Sequence, residues 1–386
     1  MNAAATSLDA NALIKLAEGA TGLSDWGDTP FLDALEILCR SASQDDLSHP
    51  SDALRVFREN ILRLMGLRLR MTADRNAHPE IPAQVIREPL IVIGLPRSGT
   101  TILHSLLSQD PRNRSPQKWE VDQPSPPPRA ESYASDPRIA DAAAAIERVD
   151  PTFRAMHQMG ATLPEECNNL QMASFRSLNF WARLKLPGYS RWLIEQADMA
   201  PAYEFHRQFL QHLQAFAPRD RWVLKGPPHL FWPETLLETY PDARVVMTHR
   251  DPAEVLPSNA SLIAHLRGVT DAAEAKAVGA EQMIWLQGLE RTMAYRSRTP
   301  RPDRFVDVHY RDFIADPLAA VRAIYAHFDI DLTQDAGAAM RAFMANNQPE
   351  KHGKHVYTAE QFGLDAGTLH RECGKYIQHY GIEVRS

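Results

Sequence analysis

The stretch Leu90-Ile91-Val92-Ile93-Gly94-Leu95-Pro96-Arg97-Ser98-Gly99-Thr100-Thr101-Ile102-Leu103 decides the fold. Its first four residues are apolar and mostly β-branched, the pattern of a short strand buried on both faces. A turn of Gly, Pro and Ser interrupts the run, and Ile102, Leu103, Leu106 and Leu107 then recur at the spacing of an amphipathic helix. Strand, turn and helix form the opening unit of a parallel α/β sheet. A turn so placed gathers backbone N–H groups and the positive end of a helix dipole on one point, which suits an anion. Gly94 and Gly99 let the backbone approach that anion closely, and the hydroxyls of Ser98, Thr100 and Thr101 offer further donors.

The glycine spacing matches the nucleotide-binding pattern G-x-x-x-x-G-K-[ST], but Thr100 stands where that pattern has lysine. The missing lysine serves the β- and γ-phosphates of a triphosphate, so its loss disfavours ATP or GTP chemistry. A cation, Arg97, sits inside the loop instead. There it can reach a bridging oxygen between a phosphate and a group being transferred.

Three further runs have the character of strands in the same sheet: Trp222-Val223-Leu224 before Lys225, Arg244-Val245-Val246-Met247 before Thr248, and Phe305-Val306-Asp307-Val308. Helical patterns over 202–216, 230–239, 252–265 and 273–298 lie between and around them. The expected fold is therefore α/β, a P-loop-like parallel sheet flanked by helices. It carries an N-terminal helical region, 1–85, and an α/β domain, 86–386, with a helical insertion at about 138–215. In the N-terminal region Leu32, Leu35, Leu38 and Cys39 share one helix face, and Leu54, Phe57, Ile61, Leu62, Met65 and Leu69 share another. These stripes read as core packing, and the helices that carry them cover the main domain or make a homodimer contact. Residues 116–137 are rich in proline and read as a surface loop leaving the first strand–helix unit.

The string Leu95-Pro96-Arg97-Ser98-Gly99-Thr100-Thr101 resembles the 5′-phosphosulfate loop of the sulfotransferase family. The version with arginine in place of lysine is similar to that of tyrosylprotein and many bacterial sulfotransferases. The resemblance implies a donor, 3′-phosphoadenosine-5′-phosphosulfate (PAPS), with adenosine 3′,5′-bisphosphate as the product, and a hydroxyl-bearing small-molecule acceptor. It also implies a second anion clamp for the 3′-phosphate. The family puts an arginine at a strand end and a serine eight residues later, here Arg250 in Thr248-His249-Arg250-Asp251-Pro252 and then Ser258. Val308-His309-Tyr310-Arg311-Asp312-Phe313 resembles a strand-end element whose tyrosine, Tyr310 here, lies near the cofactor. Lys351-His352-Gly353-Lys354 resembles the C-terminal basic loop over the 3′-phosphate, with Lys351 and Lys354 both open as the contact. The resemblance runs in ordered pieces over about 88–365 and does not reach the first 85 residues.

Sulfuryl transfer needs a base for the acceptor proton, fixed positive charge at the transferring group, and alignment of the reacting oxygens. Lys225 ends a strand, points toward the carboxyl edge of the sheet, and matches a lysine that contacts the sulfuryl group in relatives. Glu120, 23 residues after Arg97, is the favoured base, since the arginine-loop relatives place a catalytic glutamate there. His229, in Lys225-Gly226-Pro227-Pro228-His229, is the competing base. Glu165 and Glu166 follow Pro164 at a helix start, where capping explains them, and are weak candidates for acceptor contact. The aromatic residues of the insertion, Phe153, Phe175, Phe180, Trp181, Tyr189 and Trp192, either pack a core or wall a pocket for an apolar alcohol or phenol. No compact metal-ligand motif is present, and cationic side chains suffice for the electrostatic work.

The bulk composition agrees with these readings. The chain has 386 residues and a formal net charge of −6, which argues against nucleic acid as a partner and requires any anion to be held by a local cluster. Cys39, Cys167 and Cys373 are dispersed, as expected of reduced thiols in a cytoplasmic protein. Met1 to Gly22 lacks the charged and apolar blocks of a signal peptide, and no run approaches a membrane span. Two other readings compete: a P-loop kinase or nucleotide hydrolase, and a non-enzymatic nucleotide-binding module. Thr100 and the Arg250–Ser258 clamp argue against the first. The second leaves Arg97, Lys225 and the base without work.

Overall fold

In the computed structural model, which describes residues 8–45, 51–347 and 357–384, the chain forms two compact units. One takes residues 1–86, 116–142 and 167–218; the other takes 87–115, 143–166 and 219–386.

The second unit holds the sheet. Five parallel strands, β1 (Leu90–Gly94), β2 (Asn113–Arg114), β3 (Arg221–Lys225), β4 (Arg244–His249) and β5 (Phe305–His309), lie in the order β2-β3-β1-β4-β5. Every residue of β1 is buried, as its unbroken apolar run requires of a central strand. β1 pairs with β4 from Leu90↔Arg244 to Gly94↔Thr248, and with β3 from Leu90↔Val223 to Val92↔Lys225. This register places the ends of β1, β3 and β4 side by side at the carboxyl edge, where chain directions diverge and a parallel sheet opens its crevice. Leu90, Val92, Val223, Val246, Leu103 and Leu107 form the centre of the apolar core that backs this edge. The four strands expected from sequence are present. β2 is an addition, too short for any periodicity to reveal.

Two other expectations meet corrections. The helical pattern over 273–298 is two helices, Ala272–Glu281 and Ile284–Arg298. They part at Gln282, which is fully buried, with its amide bonded to the Val278 carbonyl (2.9 Å) and its side-chain oxygen to Asn259 (2.7 Å). The stretch 116–137, expected as a surface loop, contains a buried helical turn, Lys118–Asp122. A reciprocal cap between Gln117 and Glu120 starts this turn, and the Arg138 guanidinium lies 4.8 Å from the centroid of the Trp119 ring.

The first unit is helical. Leu35, Leu38 and Cys39 of one stripe, and Phe57, Ile61, Met65 and Leu69 of the other, are buried as core, while Leu32 is half exposed. Arg68 lies inside this unit with its guanidinium 4.5 Å from the Phe31 ring and 5.0 Å from the Phe205 ring. Among the described residues, no helix is long and apolar enough to cross a membrane.

Gly94 is the tightest point of the sheet edge. Its φ is +141°, and a β-carbon there would lie 2.3 Å from Thr248 Oγ1 and 2.7 Å from the Thr248 carbonyl oxygen. Gly374, at a helix start, would meet nothing within 4 Å. Gly94→Ala is expected to lower the melting temperature by about 5 °C or more, through strain and displacement of β4. Gly374→Ala should leave it unchanged or slightly raised. Equal effects of the two, measured by calorimetry, would contradict the packing described.

Candidate active site

The loop 95–99 joins β1 to the helix Thr100–Leu107 and is held from within. The Ser98 N–H bonds the Leu95 carbonyl at 3.2 Å, and the Ser98 hydroxyl donates to the same oxygen at 2.6 Å. That hydroxyl also lies 2.7 Å from Thr248 Oγ1, which ties the loop to β4. Ser98 thus shapes the loop through its side chain. Gly99, with φ +92°, begins the helix and brings no side chain to cap its first turn. A β-carbon at Gly99 would lie 2.7 Å from the Tyr310 ring, so the loop and Tyr310 are in direct contact. The outcome is a cradle of backbone with a helix N-terminus behind it, the form an oxyanion requires.

Arg97 occupies the left-handed region, φ +68°, an uncommon conformation for a residue with a side chain. Its Nε donates to Ser258 Oγ at 3.2 Å and its Nη1 to the Met156 carbonyl at 3.2 Å. Burial lowers its pKa, and the neighbouring charge of Arg250 adds to that. Arg250 follows β4 directly. Its Nη1 donates to the Arg97 carbonyl at 3.1 Å, its Nε and Nη2 grip Glu254 at 2.7 and 2.6 Å, and its guanidinium lies 4.1 Å from the Tyr310 ring centroid. Arg97, Arg250, Ser258 and Tyr310, from four separate segments, therefore converge on the loop. Ser258 arrives on the helix Pro252–Leu266, whose start is capped by the Asp251 carboxylate on the Ala253 N–H at 2.9 Å.

A second cluster lies at the end of β3. Lys225 is buried, its Nζ donating to Thr101 Oγ1 at 3.2 Å and pairing with the Glu166 carboxylate. Burial pushes the Glu166 carboxyl up, but the charge and hydrogen bond of Lys225 together with the nearby His157 and His104 outweigh it and the net shift is downward, so Glu166 is ionised at neutral pH. The segment that delivers Glu166 is fastened to the helix Pro252–Leu266: His265 Nε2 meets Asp150 Oδ2 at 2.7 Å, and its ring stacks on Phe153 with 6.2 Å between centroids. His104 is buried on the loop's helix with Nε2 at 3.0 Å from the Val223 carbonyl, and burial lowers its pKa to about 3. His229 lies on the 3₁₀ turn Pro227–Phe231, and burial lowers it also to about 3, with Glu166 opposing. Both imidazoles are neutral at physiological pH.

Glu120 lies in the other unit, fully buried, where its Oε2 accepts from the Gln117 N–H and the Tyr133 hydroxyl, each at 2.9 Å. Lys351 and Lys354 fall outside the described residues. Glu166, a weak candidate in the sequence, is brought against Lys225. Its capping position after Pro164 carried no sign of Lys225, which is 59 residues away.

Comparison with known proteins bears on this geometry. Residues 89–335 match the Sulfotransferase family, a span that takes in all five strands. The chain is similar to the crystal structure of sulfotransferase STF1 from Mycobacterium tuberculosis H37Rv, with TM-score 0.82 and 32% identity over 94% of this chain and 97% of that one. It is similar to sulfotransferase STF9 from Mycobacterium avium, with TM-score 0.88 and 28% identity over 97% of each. It also resembles the omega-hydroxy-beta-dihydromenaquinone-9 sulfotransferase Stf3 of Mycobacterium tuberculosis, 26% identical over 76% of this chain and 75% of that protein. The loop with Thr100 in place of the triphosphate lysine and Arg97 inside it thus sits within a family match across the whole sheet, and the chain belongs to the sulfotransferase family and is an enzyme of sulfuryl transfer.

Proposed function

We propose that the sulfuryl donor is PAPS and that the acceptor is the hydroxyl of an apolar alcohol or phenol. The observation that carries the donor is the second guanidinium: Arg250, seated on the Tyr310 ring and bonded to the Arg97 carbonyl, gives the loop a neighbouring phosphate clamp. A triphosphate loop has no need of one, whereas a 3′-phosphorylated ribose does. The guanidinium fork is planar, always charged and suited to two phosphate oxygens at once. In this reading the backbone of 94–101 holds the 5′-phosphate, and Arg250 and Ser258 hold the 3′-phosphate beside Tyr310. Lys351 and Lys354 remain the candidates for closing over it. The apolar acceptor is supported by the relative whose name specifies a hydroxylated menaquinone.

Arg97 and Lys225 hold charge on the transferring group and on the leaving phosphate oxygen, fixed in place before the reaction begins. The acceptor hydroxyl loses its proton to a carboxylate, its oxygen forms the new bond to sulfur, and the bond between sulfur and the phosphate oxygen breaks. Glu120 has the family position for the base. Contact with Lys225 favours a second reading, Glu166, which is ionised and touches a residue assigned to the sulfuryl group. His229, with a pKa of about 3, is a weak base at neutral pH.

Replacing Arg250 by Ala tests the clamp. Calorimetric affinity for adenosine 3′,5′-bisphosphate should fall about 10- to 150-fold, the worth of a charged bidentate contact. Affinity for adenosine 5′-phosphosulfate, which has no 3′-phosphate, should change little. Equal losses for both ligands would remove Arg250 from the 3′-phosphate. Single-turnover transfer tests the base. Glu166→Gln should slow it by roughly 10²–10⁴-fold with bisphosphate affinity nearly intact, and should abolish the acid limb of the rate profile. That limb falls as pH drops through the Glu166 pKa, below the ordinary glutamate value. If Glu120→Gln is the inactive variant and Glu166→Gln retains most of its rate, the base is Glu120.

A further inference from the structure

Behind Arg250 lies a buried polar chain that the transfer chemistry does not use. His249 ends β4, 1% exposed, and both of its ring nitrogens are engaged. Nε2 lies 2.7 Å from Asp307 Oδ1 on β5, and Nδ1 lies 3.1 Å from the Tyr376 hydroxyl. Asp307 is held in turn by both Nη atoms of Arg296, at 2.6 and 2.8 Å. These partners fix the tautomer. Nε2–H donates to the carboxylate, so Nδ1 accepts from Tyr376 O–H. Burial favours the neutral ring, and its net shift is downward although Asp307 opposes it. The Tyr380 ring stacks on His249 at 4.1 Å between centroids and receives Arg296 Nη1 on its hydroxyl at 3.2 Å.

The same C-terminal helices reach the residue on the other side of Arg250. His370, on Ala366–Glu372, lies 2.9 Å from Asp251 Oδ1, the oxygen that also caps the helix carrying Ser258. His249 and Asp251, the residues on either side of Arg250, are therefore both fastened by the segment Ala366–Tyr380. Space is close around this segment. A β-carbon at Gly279, on Ala272–Glu281, would lie 1.9 Å from the Phe362 carbonyl oxygen, so the approach to these helices is fitted against bare backbone.

We propose that Tyr376 and His249 are positioning residues for the 3′-phosphate clamp: the C-terminal helix sets the backbone leading into Arg250, and so the aim of its guanidinium, through the Tyr376 hydroxyl on the His249 ring. The inference rests on the reading of Arg250 as that clamp. A structural brace alone would stabilise the fold without regard to which phosphate a ligand carries. A brace that aims the guanidinium affects the 3′-phosphate selectively.

The test uses the full-length protein and two ligands, adenosine 3′,5′-bisphosphate and adenosine 5′-monophosphate, titrated by calorimetry. The parent enzyme should prefer the bisphosphate by at least about 10-fold. Tyr376→Phe keeps the ring and removes the hydroxyl, and should narrow that preference about 3- to 10-fold by weakening the bisphosphate alone. His249→Gln, which retains a donor and an acceptor, should lose less than His249→Ala. Variants that lower the melting temperature while leaving the preference at its parental value would overturn the positioning role, because the brace would then be structural only. A parent enzyme without preference would instead overturn the clamp reading itself, and this inference with it.

Discussion

The site depends on how closely β1 and β4 approach at their carboxyl ends. Gly94 and Thr248 are register partners, and the gap between them has no room for a β-carbon. Because the strands close up there, the Ser98 hydroxyl reaches Thr248 and the loop is pinned to the neighbouring strand. Two residues beyond Thr248 comes Arg250, which for the same reason bonds the Arg97 carbonyl. The left-handed turn at Arg97 directs that carbonyl toward β4 and its side chain toward Ser258. One steric constraint thus joins the loop to the end of β4, which lie some 150 residues apart in sequence and form the two halves of the proposed anion site. A wider separation of the strands would leave two unrelated surface arginines.

Charge is the second organising term. The chain as a whole is negative, with net charge −6, so attraction for a polyanionic donor must come from the local cluster alone. Its cations are partly balanced: Arg250 by Glu254 and Lys225 by Glu166. The two pairs differ in kind. Arg250 and Glu254 are each about a quarter exposed and four residues apart, so their pairing is weak. Lys225 is buried, and leaving a buried charge unpaired is far more costly, on the order of 3–5 kcal/mol when one partner is removed. Glu166 therefore partners the buried Lys225, and in the proposed mechanism a carboxylate already held ionised stands beside the sulfuryl-binding lysine.

Much of this was legible in the residues. The run Leu90–Ile93, the glycines at 94 and 99, and Arg97 inside the loop identify strand, cradle and cation without any contact information, because local chemistry alone determines them. The strands at 222–224, 244–247 and 305–308 were legible for the same reason. Long-range pairing was not. Nothing in Pro164-Glu165-Glu166 announces a lysine at a distant strand end, and nothing in Thr248-His249-Arg250 announces that a C-terminal tyrosine will seat on it. β2 was too short to leave a pattern. The break at Gln282 was hidden because the amphipathic spacing continues through it, while the side chain turns inward to Asn259. Glu120 read as a loop carboxylate with a family position, and its burial follows from a capping turn that the surrounding prolines obscured.

The central claim is that a loop with Thr100 in place of lysine, beside Arg250, is built for a nucleotide with separate 5′- and 3′-phosphates and not for a triphosphate. Melting temperature measured against ligand concentration tests it most directly, since a ligand that binds only the folded state stabilises by mass action. Adenosine 3′,5′-bisphosphate should raise the transition progressively and saturably, with ATP plus magnesium at equal concentration producing a much smaller rise. Equal or greater stabilisation by ATP plus magnesium would contradict the account.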